Sequence, residues 1–162
     1  MKLTFIIPVT VRLAPLLKTD VAVAQFPNVR TATVAVKEIL NNGVGIRTRL
    51  TSRHPHLITD PGIECIELLD DQAMGAINAY GQSIRKWEAK DSLYIKFQGP
   101  TESSISESIK LARGIAKRHG ATTFETAKNQ QEADALWADR KNALFAGLAL
   151  LPGCKSWPTD VW

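Results

Sequence analysis

From Thr19 onward the sequence keeps one rhythm, in which short β-branched or alternating segments take turns with segments of helical period. Val21-Ala-Val-Ala-Gln-Phe26 is apolar and β-rich, and Pro27 ends it. Asn28 stands where an N-cap belongs, ahead of Val29, Ala32, Val36, Ile39 and Leu40 at helical spacing, and Asn41-Asn42-Gly43 closes that helix. Cys65 to Leu69 reads as a short strand, and Asp70-Asp71 opens a helix through Met74 and Ile77 to Tyr80-Gly81. Ser92 to Gln98 alternates cleanly, with Leu93, Ile95 and Phe97 on one side and Tyr94, Lys96 and Gln98 on the other. A helix from about Thr101 to His119 follows, then a strand at Ala121–Thr126, then a long helix from Asn129 to Leu148. The order β-α-β-(α)-β-α-β-α predicts an α+β fold of the ferredoxin-like, split βαβ type. Its sheet is expected to be antiparallel, with helices on one face. A doubly wound parallel sheet is the competitor, and the polar–apolar alternation of the strands speaks against it.

One stretch breaks the rhythm. Residues 47–63 have neither helical nor strand period and contain two prolines, whereas such connections usually take about 2–6 residues. Without them, Gly43 to Ile46 would run straight into Glu64 to Leu68 as an ordinary loop and strand. The stretch reads as an insertion. Its removal is expected to leave the fold intact.

Length matters here only because 162 residues suit one domain. The longest apolar run, nine residues from Ala143 to Leu151, falls far short of the roughly 20 that span a bilayer. The net charge of +4 is unevenly placed: residues 1–46 contribute +3, residues 47–63 contribute +2, and the remainder −1. Such a distribution argues against a nucleic-acid face. The first residues lack a small-residue cleavage site, and Pro8 interrupts their short apolar run, so no convincing targeting segment is read there. On that ground alone the chain would be cytoplasmic. Two cysteines make neither a disulfide framework nor a metal set.

Most candidate chemistry has a plainer explanation. His54 and His56, with Asp60 nearby, offer too few ligands for a metal and read as exposed bystanders. His119 ends a helix, where its charge suits the macrodipole. Gly43-Val-Gly45 follows a helix instead of opening one, so it is no phosphate loop. Cys65 reads as a small core residue, Cys154 as a turn thiol beside Lys155, and Tyr94 as a solvent-side aromatic. No catalytic residue emerges. Arg140 is the exception. It is four residues from Leu136, three from Ala143 and four from Leu144, which places it within an apolar stripe that includes Gly147, while Asp139 and Lys141 point elsewhere. Arginine is seldom found there without an anionic partner: the plain reading is a guanidinium that snorkels to the surface or pairs with a structural carboxylate, the functional one a bidentate clamp for a carboxylate ligand.

Around Arg140 the sequence resembles a known family. Leu136 to Phe145, Leu151 to Lys155 and Trp157 to Val161 are similar to the FAD-linked oxidases of the vanillyl-alcohol oxidase superfamily. Within it they are most similar to the cytochrome-dependent D-lactate dehydrogenases of fungal mitochondria. The likeness extends through Leu93 to Gly99, Glu67 to Asp71, Ala22 to Pro27 and Val11 to Leu16. It implies a substrate cap on a ferredoxin-like sheet that covers a flavin held elsewhere, and a mitochondrial parent enzyme. That enzyme would oxidise D-lactate or a similar 2-hydroxy acid and pass electrons through FAD to cytochrome c. In the family the Arg of a Trp-x-x-Arg pattern binds the substrate carboxylate, a role the resemblance carries to Arg140 behind Trp137. Asp139 departs from the pattern, which has a small residue there, and could compete for the guanidinium.

The family's glycine-rich FAD loops, and the histidines for a divalent metal and catalysis, have no counterpart in this sequence. The expectation is therefore residues 1–18 as the end of the FAD domain and its link, and 19–162 as a partial cap domain carrying the insertion 47–63. Such a segment would be inactive alone. The alternative is a stand-alone ferredoxin-like module that binds a small carboxylate or a partner chain. The two differ in a visible way, because a partial domain leaves apolar surface open.

Overall fold

The structure, a computed structural model, describes residue 10, residues 16–42 and residues 62–155. Its elements in chain order are β1 (Lys18–Phe26), α1 (Val29–Asn41), β2 (Gly62–Leu69), α2 (Asp71–Tyr80), β3 (Asp91–Gly99), α3 (Glu102–Arg118), β4 (Thr123–Thr126) and α4 (Gln130–Leu150). The strands form one antiparallel sheet in the order β2-β3-β1-β4. β1–α1–β2 thus crosses over β3, and β3–α3–β4 crosses over β1, which is the split βαβ arrangement expected of a ferredoxin-like fold.

The helix starts follow from capping chemistry. The side chains of Asn28, Asp70, Thr101 and Asn129 each accept the backbone N–H three residues on. At α3 Ser104 reciprocates to complete a capping box. Gly81 ends α2 in the left-handed conformation, at φ 74°, which a side chain would strain.

Helices lie on both faces of the sheet, not on one. On the first face α1 and α3 bury Ala35, Ile39, Ile109 and Ile115 against Ala24, Phe26, Ile95 and Phe97. On the second, α2 and α4 bury Met74, Ile77 and Leu136 against Val21, Val23 and Tyr94. The alternation in β3 suggested a wet second face. In β1, however, five of the six residues from Val21 to Phe26 are apolar and all six are buried, the pattern of a strand covered on both sides. Tyr94 is consequently fully buried, and its phenol finds no hydrogen-bond partner among the described residues. Burial pushes that hydroxyl above its usual range.

β2 begins at Gly62, so it takes in the last two residues of the stretch 47–63. Ile63 is fully buried among the α1/α3-side residues and pairs with Phe97. Residues 1–9, 11–15 and 43–61, which include His54, His56, Asp60, Gly43 and Gly45, lie outside the described residues, as do 156–162.

Glu38 of α1 joins Arg118 and His119 at the end of α3. The hydrogen bond from His119, then that from Arg118, holds the Glu38 carboxyl below the ordinary 4.5. Its folded value lies below its unfolded one, so this contribution is present above about pH 4.5 and fades as pH falls through the folded value. Glu38→Gln is expected to lower Tm at pH 6, with the difference from the parent vanishing toward pH 3. Parallel melting curves across that range check it.

Candidate functional site

α4 crosses the second face of the sheet with Ala133, Leu136, Asp139 and Ala146 buried. Its inward side is therefore centred on Leu136 and Asp139, and Arg140 lies at the margin of that side. Leu144, expected within the stripe, is about half exposed. Arg140 reaches from this margin to β2, where its Nη2 pairs with Oε2 of Glu67, and the arginine side chain stays 38% exposed. Of the alternatives, a structural carboxylate is thus present within the fold.

Glu67 reaches α4 because β2 carries a bulge. Ile63 pairs with Phe97 and Cys65 with Lys96, leaving Glu64 as an extra residue between them. Strict alternation would have put Ile63, Cys65 and Glu67 on one side. The extra residue reverses the parity, so Ile63 faces α1 and α3 while Cys65 and Glu67 turn to the α4 side with their cross-strand neighbours Lys96 and Tyr94. Cys65 is accordingly half-buried instead of a core residue, and its thiol donates to Glu67 Oε1 at 3.7 Å. Partial burial, reinforced by the neighbouring Glu64, pushes that thiol up and makes it a poor nucleophile.

A second ion pair lies alongside. Lys96 Nζ is 3.0 Å from Glu64 Oε2 and 5.6 Å from the centre of the Trp137 ring. Two cations and two carboxylates therefore share this part of the sheet, each already matched. Neither Glu67 nor Lys96 stood out in the sequence, because the bulge hides their common face. Trp137 is half-buried one turn before Arg140 on α4.

Asp139 does not compete for Arg140. It is buried and accepts the Ser83 hydroxyl at 2.6 Å. Burial raises its carboxyl above the ordinary 3.8, and the Ser83 hydrogen bond only partly offsets this. A folded value above the unfolded one means stability falls as pH rises from about 4 through the folded value. Asp139→Asn keeps the acceptor for Ser83 and is expected to raise Tm at pH 7. The gain should shrink as pH drops toward 4, as thermal melts at both pH values would record.

His119 caps α3 and pairs with Glu38, far in the fold from Arg140. Cys154 is exposed in the turn after α4. Among the described residues no group of three or more His, Cys, Asp or Glu could hold a metal ion, and no helix is long and apolar enough to cross a membrane.

Comparisons with known proteins point to one family. Residues 54–161, more than half of the chain, match the family described as "FAD linked oxidases, C-terminal domain". A D-lactate dehydrogenase [cytochrome], mitochondrial, of Kluyveromyces lactis is 31% identical over 146 residues, covering 87% of this chain and 22% of that protein. A probable mitochondrial D-lactate dehydrogenase of Danio rerio is 29% identical over 140 residues, 86% of this chain and 24% of its own length. A D-lactate dehydrogenase [cytochrome] of Arabidopsis thaliana is 30% identical over 142 residues, 87% of this chain and 21% of its own. The chain thus spans about a quarter of the length of the curated relatives it matches. By sequence, over more than half of its length, the chain belongs to the FAD linked oxidases, as part of their C-terminal domain.

Proposed function

We propose that this chain supplies part of the substrate cap of a mitochondrial, FAD-dependent D-lactate dehydrogenase, in which Arg140 grips the carboxylate of D-lactate. The complete enzyme would convert a D-2-hydroxy acid to the 2-oxo acid and pass electrons to cytochrome c. The observation that carries this reading is the placement of Arg140: a permanently charged fork at the margin of a covered helix face, aligned by Glu67 on the neighbouring strand. The relatives' names supply the substrate class, and their mitochondrial designation supplies the compartment.

The described residues do not fit the phosphates of FAD. Such phosphates are cradled by glycines that open a helix, whereas the glycines with left-handed backbones here, Gly81, Gly120 and Gly153, all follow one. No flavin contact is therefore assigned within this segment, and the parent enzyme's remaining chain would hold the cofactor. The part played here is binding and orientation: the carboxylate is fixed, so the carbon beside it is presented in one direction.

The reading as a cap segment, in preference to a closed carboxylate-binding module, is supported by exposed apolar side chains. Leu144, Phe145, Leu150 and Leu151 are each half or more exposed along the end of α4. In the test, residues 16–155 replace the corresponding segment of the Kluyveromyces lactis relative. The chimera is expected to bind FAD and reduce cytochrome c with D-lactate, while the 162-residue chain alone shows no stoichiometric flavin absorbance and no D-lactate-dependent dye reduction. A flavinated chimera without D-lactate turnover would refute the assignment.

A further inference from the structure

We infer that Glu67 is the positioning residue for Arg140, and that the bulge at Glu64 exists in this fold to deliver it; the inference rests on Arg140 being the carboxylate clamp. An arginine side chain has four rotatable bonds before its planar fork, and a clamp that must be ordered afresh for each substrate loses affinity to that ordering. Arg140 is 38% exposed, so packing alone does not fix it. Glu67 does what packing leaves undone.

Three features of the site support this. Glu67 is only 27% exposed, on a strand hydrogen-bonded to β3, so it is a rigid point and not a waving surface side chain. Both of its oxygens have a neighbour, Oε2 the Arg140 cation and Oε1 the Cys65 thiol at 3.7 Å, so the carboxylate is held from two sides and anchors the charge of the guanidinium. The pairing also has no alternative on the α4 side of β2. Without the extra residue at Glu64, Glu67 would face α1 and α3 and could not meet α4. Lys96 does not draw Glu67 away from Arg140, being committed to Glu64 and to the face of Trp137. Arg140 forms no other ion pair among the described residues, so the contact through Nη2 leaves the rest of its fork to a second carboxylate.

Charge and reach make separate predictions. Glu67→Asp keeps the charge but falls one methylene short, while Glu67→Gln keeps the length and an acceptor oxygen but drops the charge. If holding the fork is what matters, the shorter residue does more harm than the neutral one. In the FAD-loaded chimera described above, Glu67→Asp is expected to raise KM for D-lactate about tenfold with kcat within twofold. Glu67→Gln is expected to raise KM about threefold. FAD content and Tm should stay near the parent in both. In the 162-residue chain itself, the Arg140 side-chain Nε–H resonance should be sharp in the parent and broadened in Glu67→Asp.

Unchanged KM in both variants, with Arg140→Met crippling the same chimera, would overturn the positioning role and leave the clamp standing. Parallel losses of kcat, FAD content and Tm would show Glu67 to be merely structural, and equally overturn it. An Arg140→Met chimera with unaltered kinetics would instead remove the clamp reading itself, and the Arg140 resonance would still report whether Glu67 holds the side chain.

Discussion

Replacing Ile63 with Ala is expected to cost about 3 kcal/mol, within the roughly 2–5 kcal/mol seen for emptying a buried isoleucine site. Ile63 is fully buried, pairs with Phe97 and packs on the α1/α3 side of the sheet. In a chain of this size that corresponds to a fall in Tm of roughly 6–12 °C. Leu68→Ala, on the same strand and 40% exposed, should cost less than half as much. The same residue divides two deletions. Removing residues 47–61 keeps β2 whole and shortens the connection from Asn42 to Gly62, which lowers the closure entropy by about 1 kcal/mol. Removing 47–63 takes Gly62 and Ile63 from the strand and should unfold or strongly destabilise the chain. Thermal melts of the two deletions, side by side, decide whether the segment that breaks the rhythm ends at residue 61. Equal stability would show that Ile63 contributes nothing to the core.

The start of β2 illustrates where the sequence was legible and where it was not. Element order and the Asn28 cap followed from period and capping residues, because each depends on neighbours a few positions away, and the antiparallel sheet followed from the order of the elements. Pro61-Gly62 looked like loop punctuation, but the glycine is the first residue of the strand. The bulge at Glu64 was invisible for a physical reason: it is defined by pairing with β3, not by any local pattern. Missing it reverses the parity of everything after it. Cys65 was expected in the core because its strand is apolar, and without the bulge nothing marked Glu67 as its neighbour on the α4 side. Tyr94 was misplaced by the same kind of reasoning, since alternation reveals two faces but not whether the second is covered. The signal that could have shown it lay in β1, where Val21 and Val23 demand burial opposite Ala22 and Ala24. On α4 the apolar residues are spread around the helix, so Leu144 was placed inside and Asp139 outside, whereas Leu144 is exposed and Asp139 is buried. Arg140 stood out even so, because a cation between Leu136 and Ala143 meets the inward side wherever its centre lies.

Arg140→Met in the chimeric enzyme is expected to lower kcat/KM for D-lactate by about 2–4 kcal/mol, roughly 30- to 1,000-fold. A carboxylate is the only formally charged group on lactate. Its two oxygens match the planar fork of a guanidinium, and charge-assisted pairs of that geometry are among the strongest hydrogen bonds. Methionine has nearly the same stem and fills the same space at the margin of α4, so the change removes donors and charge more than packing. Stability should respond much less. The pair with Glu67 is more than a third exposed on the arginine side, where solvent screening limits such a pair to about 1 kcal/mol or less. The carboxylate left behind on Glu67 is the one complication, and the double variant Arg140→Met/Glu67→Gln removes it. If the double variant is as slow as the single one, the loss belongs to the missing clamp and not to an orphaned charge. Arg140→Lys should recover only part of the rate, because a point charge at the end of a different stem cannot reproduce two parallel hydrogen bonds while also meeting Glu67. A Met variant that stays folded and flavinated with parental kinetics would leave Arg140 as a strut between α4 and β2. In that case the carboxylate of the substrate would have to be held by residues outside this segment.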